Sequence, residues 1–151
     1  MFAYAGEVKE LVAWYKFSHR TRLAVLFAQY LGEALSREMP GVLLVPAPAR
    51  SGPRAVDHVE RIARVLERRH GAHVVRALER VGGVSQKTLD FEARKKNLAG
   101  AIRARRNVRV PREAVLLDDI FTTGATADAC ATALKDAGCG SVHVLTLAID
   151  L

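Results

Sequence analysis

The sequence predicts an α/β fold, a mostly parallel central sheet flanked by helices, and two observations point to it. Short apolar runs are separated along the chain by amphipathic segments of helical period, the order that lays helices against a parallel sheet. One run, residues 114–117, is apolar at every position, as a strand covered on both faces requires. It ends in Asp118 and Asp119, after which a small polar loop leads straight into a helical pattern.

The other elements follow in order. Residues 7–17 carry Val8, Leu11, Val12 and Tyr15 at helical spacing and predict a first helix. Residues 18–22 are a break, and Ser18 or Thr21 can cap a second helix with a stripe of Leu23, Leu26, Phe27, Tyr30, Leu31, Ala34 and Leu35. Pro40 and Gly41 end it. Trp14, the only tryptophan, reads as a packing residue. Residues 42–45 predict the first core strand, and the proline-containing loop 46–53 follows it at the same sheet edge as Asp118.

Residues 54–70 predict a strong helix with Val56, Val59, Ile62, Ala63 and Leu66 on one face and Gly71 as its terminator. His58 and His70 read as surface histidines, and residues 72–78 as a second strand. From 79 to 100 the pattern thins. The polar stretch around Gly82, Gly83, Ser85, Gln86, Lys87 and Thr88 is either a segment that closes over a substrate or a plain surface excursion. Residues 101–112, with Arg103, Arg105, Arg106, Arg109 and Arg112, predict a strand and a turn. A helix over 128–137 and a last strand over 142–149 complete the chain.

A chain of 151 residues, half of them hydrophobic and 26% charged, fits one soluble domain with its own core. No apolar run approaches the roughly 20 residues of a membrane helix, and no leader pattern opens the sequence, so the expected location is the cytoplasm. Cys130 and Cys139 lack metal-site spacing and read as buried thiols. The net charge of +7 suits a polyanionic ligand or nucleic acid, with a merely solvated basic face as the alternative.

The chemistry concentrates after residue 117. In parallel sheets ligands sit beyond the carboxyl ends of the strands, here at Asp118 and Asp119. Thr122, Thr123, Gly124, Ala125 and Thr126 can wrap N–H groups and hydroxyls around a phosphate at the start of the next helix. Ionised carboxylates only accept hydrogen bonds, so they suit ribose hydroxyls or a hydrated Mg²⁺ beside that phosphate.

The stretch 115–126 resembles the phosphoribosyl diphosphate (PRPP) signature of type I phosphoribosyltransferases: hydrophobic residues, two acids, then Thr-Thr-Gly-x-Thr. Lys16-Phe17, Val45-Pro46-Ala47-Pro48, Gln86, Leu89, Arg94 and Asn97-Leu98 make the chain similar to the ComF family, phosphoribosyltransferase-like proteins linked to DNA uptake. The resemblance implies a single type I phosphoribosyltransferase-like domain over 1–151, with helices in 1–40 and the segment 82–100 as a hood. It implies Asp118 and Asp119 at the ribose and the reacting centre, with Thr122 to Thr126 at the 5′-phosphate. Ala49, Arg50, Lys16 and Arg94 would lie toward the diphosphate, with Mg²⁺ held through PRPP and water. The acceptor is left open.

Two departures accompany this likeness. The four-cysteine zinc module found at the start of many ComF proteins has no counterpart here, so zinc is not expected. Ala55-Val56-Asp57-His58 stands where the family has Gly-Phe-Asn-Gln. Besides a transferase, the resemblance leaves open a non-catalytic competence protein that binds DNA or partner proteins, and a PRPP or nucleotide sensor. A homodimer is compatible with each.

Overall fold

The computed structural model describes residues 2–17, 21–49, 57–81 and 101–150. Their elements are β1 (Phe2–Ala3), α1 (Gly6–Phe17), α2 (Thr21–Glu38), β2 (Leu43–Pro46), α3 (His58–His70), β3 (Leu78–Arg80), β4 (Ile102–Ala104), β5 (Glu113–Phe121), α4 (Ala125–Asp136) and β6 (Ser141–Ile149). Four strands form a parallel sheet in the order β1-β6-β5-β2, and β3 pairs antiparallel with β4 in a separate ribbon.

The central strand explains its own sequence. Val115 and Leu117 enter one core with Val12, Tyr15, Phe27, Leu31, Ile62 and Leu66 from α1, α2 and α3. Ala114 and Leu116 enter the other, with Ala127, Cys130 and Leu134 of α4 and Leu78 and Ile102 of the ribbon. Alternate positions point to opposite faces, so a strand with helices on one side and α4 on the other must be apolar throughout. Leu116 and Leu117 are both fully buried, each removal from water stabilising the fold by about 1.5–3 kcal/mol.

Register then sets up the edge. β2 pairs with β5 from Leu43↔Ala114 to Pro46↔Leu117, and there it stops. β6 accompanies β5 on the other side as far as Phe121↔Ile149. Residues 118–121 of β5 therefore stand beyond the end of β2. The strand was expected to finish at residue 117, but it runs through both aspartates because β6 continues to pair with it.

Several other elements differ from the sequence expectation. No regular strand spans 72–78: Val74 makes a single parallel bridge to Leu44, and the Ala77 N–H then turns back onto the Val75 carbonyl at 2.9 Å. That tight turn takes the chain out of the sheet and into β3. α3 begins at His58 rather than residue 54, because the Asp57 carboxylate caps it by accepting from the Glu60 N–H at 2.8 Å. Val56 lies outside the described residues. Gly71, left-handed at φ 65°, closes the helix as expected.

On α2 the buried face is Ala24, Phe27, Ala28, Leu31 and Leu35, whereas Leu26 and Tyr30 are exposed. Small residues rotate the stripe. A Cβ on Gly32 would fall 2.6 Å from the His70 ring, so Gly32 lets α2 and α3 meet there, against a half-buried His70. Trp14 is 60% exposed, not packed in the core, since Val8, Leu11, Val12 and Tyr15 already define the inward face of α1. β1 has only two residues, too few to show a period. Cys130 and Cys139 are buried free thiols.

Candidate functional site

At the projecting end of β5 both carboxylates are fixed by the backbone. The Asp119 N–H donates to Asp118 Oδ1 at 2.8 Å, and the Ile120 N–H donates to Asp119 Oδ1 at 2.7 Å. Asp119 Oδ2 lies 2.6 Å from Lys16 Nζ, which comes from the last turn of α1. The two acids act on opposite sides of the sheet, as neighbouring strand positions do. Asp119 adds its field to Tyr15 and His58, whereas Asp118 adds its field to Cys130 on α4.

Three residues after Phe121, Gly124 opens α4 in the left-handed region at φ 75° and, as the N-cap, brings no side chain of its own to cap the helix. A Cβ there would also lie 3.1 Å from the Phe121 ring, so glycine meets both a backbone and a packing requirement. Thr122 and Thr123 are exposed, and Thr123 Oγ1 accepts from the Ala125 N–H at 3.4 Å. The helix ladder starts with the Asp128 N–H bonded to the Gly124 carbonyl. The Thr126 and Ala127 N–H groups precede it, at the positive end of the helix.

No family model matches the chain. In sequence it is 27% identical to competence protein ComFC of Streptococcus pneumoniae, covering 97% of this chain and 66% of that protein. In structure it matches adenine phosphoribosyltransferase from Thermoanaerobacter pseudethanolicus with a TM-score of 0.54 at 19% identity, covering 85% of this chain and 68% of that one. The glutamine PRPP amidotransferase of B. subtilis matches equally, with a TM-score of 0.54 at 18% identity over 90% of this chain and 30% of that one. The fold is that of the type I phosphoribosyltransferases. The likeness to ComF read from the sequence extends over nearly the whole chain, and the chain spans just under two thirds of that relative's length.

Within this phosphoribosyltransferase fold, the predicted residues are brought together in part. Asp118, Asp119, Lys16 and the loop from Thr122 to Thr126 share the carboxyl edge of β5. Ala49 follows β2 and lines a separate cleft of about 550 Å³ with Pro46, Asp57, Glu60, Arg80 and Arg105, which Asp118 and Asp119 do not line. Arg50 and Arg94 lie outside the described residues, as does the expected hood segment 82–100.

Sequence reasoning missed the groups behind Lys16. The Tyr15 hydroxyl donates to the His58 carbonyl at 2.6 Å, and the two rings meet edge to face with centroids 5.1 Å apart. Burial raises the Tyr15 phenol well above its ordinary pKa, against the nearby Arg61, so it remains a donor. Burial first, then the Arg61 charge, lowers the pKa of His58, and the imidazole is neutral near pH 7. His58 Nδ1 and Arg61 Nη1 are buried with no hydrogen-bond partner among the described residues. His58 is thus not the surface histidine expected. The signal available was Asp57-x-x-Glu60, a helix-start pattern that puts His58 in the first turn beside the sheet edge.

Thr146 was also missed. It stands opposite Asp118 in register, is 1% exposed, and its hydroxyl has no hydrogen-bond partner among the described residues. A threonine within the apolar run 144–149 was the available sign.

Proposed function

We propose that this chain binds PRPP, or another ribose 5-phosphate ligand, together with Mg²⁺, and transfers the phosphoribosyl group to an acceptor. The observation that supports it most is the pair Asp118 and Asp119 at the free end of β5, followed at once by a helix start opened by Gly124. Thr122, Thr123, Gly124, Ala125 and Thr126 hold the 5′-phosphate through N–H groups and hydroxyls. Asp118 and Asp119 accept hydrogen bonds from the ribose hydroxyls. Lys16, beside Asp119, is the described candidate for the diphosphate side; Arg50 and Arg94, outside the described residues, are the other candidates, and Ala49 lines the neighbouring cleft instead.

In the reaction, a nucleophile on the acceptor forms a bond to C1 as the bond from C1 to diphosphate oxygen breaks, and the diphosphate leaves with that electron pair. The ring gains oxocarbenium character, which a neighbouring carboxylate stabilises electrostatically. Among the described residues no group of three or more His, Cys, Asp or Glu side chains could hold a metal ion by itself. Two carboxylates that already accept from the backbone, one of them also paired with Lys16, instead fit a hydrated Mg²⁺ carried chiefly by the ligand's own phosphates. When bound, the ion neutralises charge on the departing diphosphate.

A non-catalytic role in DNA uptake is the second reading, favoured by the similarity to a protein named for competence. The arginine-rich segment gives it little help: Arg103 is paired with Glu79 at 2.8 Å, and Arg105 donates to the Leu78 carbonyl at 3.2 Å. A cytoplasmic location fits either reading, and no helix among the described residues is long and apolar enough to cross a membrane. Release of diphosphate from PRPP across a panel of nucleobases and amines tests the transferase. Acceptor-dependent release supports it; PRPP binding with no release for any acceptor leaves a sensor.

A further inference from the structure

Thr146 is a polar side chain in a place that suits an apolar one. It is 1% exposed, and its Oγ1 has no hydrogen-bond partner among the described residues. Moving a hydroxyl from water into an apolar interior is unfavourable unless a hydrogen bond replaces those that water supplied. Valine has nearly the same shape without that cost, and β6 carries it at positions 142 and 144. A destabilising residue beside a ligand site is the pattern of a group kept for function rather than for folding.

Register gives the hydroxyl its neighbour. Thr146 stands opposite Asp118, and paired residues of adjacent strands point to the same face. That face belongs to α4. Ala114 and Leu116 of β5 and Val142 and Val144 of β6 pack there with Cys130 and Leu134, and alternation carries the same side to positions 118 and 146. Leu145 and Leu147, one position to either side, enter the opposite core. Adjacent strands lie about 4.8 Å apart, so rotation about the two χ1 bonds brings the Thr146 hydroxyl to the Asp118 carboxylate. Asp118 Oδ1 accepts from the Asp119 N–H at 2.8 Å. A carboxylate has about four lone-pair sites, so it takes a hydroxyl donor and ribose hydroxyls besides.

We propose that Thr146 is the positioning residue for Asp118, its hydroxyl donating to the carboxylate as that carboxylate accepts from the ribose. The inference rests on the PRPP reading above and deepens it. The terminal torsion of an aspartate is broad, and one backbone donor does not fix the plane of the carboxylate. A second donor from β6 does, and it leaves the remaining lone pairs facing the ligand. The bond is charge-assisted, yet the donor is neutral. Asp119 shares its charge with the Lys16 ammonium, whereas a hydroxyl leaves the Asp118 charge in place for the positive ring of the transition state.

The test is calorimetric titration of PRPP with Mg²⁺, and of inorganic phosphate alone, into the wild type, Thr146→Val and Thr146→Ser, with a thermal melt of each protein. Thr146→Val is expected to melt at or above the wild-type temperature and to bind PRPP about tenfold more weakly, a difference of about 1.4 kcal/mol. Its affinity for phosphate should not change, because the hydroxyl acts on the carboxylate and not on the loop 122–126. Thr146→Ser restores the hydroxyl and should restore most of the PRPP affinity. Equal PRPP binding by the wild type and Thr146→Val, or a parallel loss of PRPP and phosphate binding, overturns this inference while the PRPP site stands. A wild type that does not bind PRPP overturns both.

Discussion

The Tyr15 hydroxyl donates to the backbone carbonyl of His58 at 2.6 Å, tying the end of α1 to the start of α3 beside the free edge of β5. Tyr15 is fully buried, so removing its hydroxyl leaves that carbonyl without its partner. Tyr15→Phe is expected to lower unfolding free energy by about 1 kcal/mol in urea titration while keeping the edge-to-face contact with Phe27. An unchanged midpoint would mean that the tie contributes nothing.

His58 gives the fold a pH dependence whose sign follows from its surroundings. Burial and Arg61 lower its folded pKa below the ordinary histidine value of 6.5, against the opposing pull of Asp119. Above 6.5 both folded and unfolded states carry it neutral. As pH falls through 6.5 the unfolded state takes up a proton that the folded state does not, so stability drops. Melting temperatures between pH 8 and pH 5 should show this decline, and His58→Gln should flatten it. An identical slope in the variant would assign the decline to other groups.

Gly124 is constrained twice, by φ 75° and by the Phe121 ring 3.1 Å from where a Cβ would sit. Gly124→Ala is expected to cost about 1–2 kcal/mol from the left-handed backbone alone. It should also displace the loop that precedes α4, so affinity for phosphate-bearing ligands falls more than stability does. Paired denaturation and binding titrations check this; full affinity in Gly124→Ala would take the loop out of the phosphate site.

Cys130 is fully buried on α4, and burial, with Asp118 nearby, raises its thiol pKa to about 12. The thiolate is the reactive species, so Cys130 should resist a thiol reagent at pH 7.5 in the native state and react on unfolding. Mass spectrometry of Cys139→Ser protein after labelling reads this directly, and rapid native labelling would contradict the packing of α4 on β5.

The sheet and its acidic edge were legible because they depend on strong local rules. A strand buried on both faces has to be apolar at each position, and Gly124 has to be glycine where a helix starts left-handed. What escaped the sequence depends on partners distant in the chain or on residues that carry no pattern. Ala24, Ala28 and Gly32 set the inward face of α2 because they let α3 come close, whereas apolar periodicity favoured Leu26 and Tyr30. Tyr15 looked like one more core residue, and His58 like a surface histidine. Their shared hydrogen bond joins two helices, and only the fold brings it about.

The central claim is that the free end of β5 holds a phosphorylated ribose. Calorimetric titration of PRPP with Mg²⁺ into the wild type and into Asp118→Asn/Asp119→Asn tests it most directly. Binding by the wild type and its loss in the double variant, with both proteins folded, is the predicted result. No binding by the wild type at millimolar PRPP, or equal binding by both proteins, would contradict it.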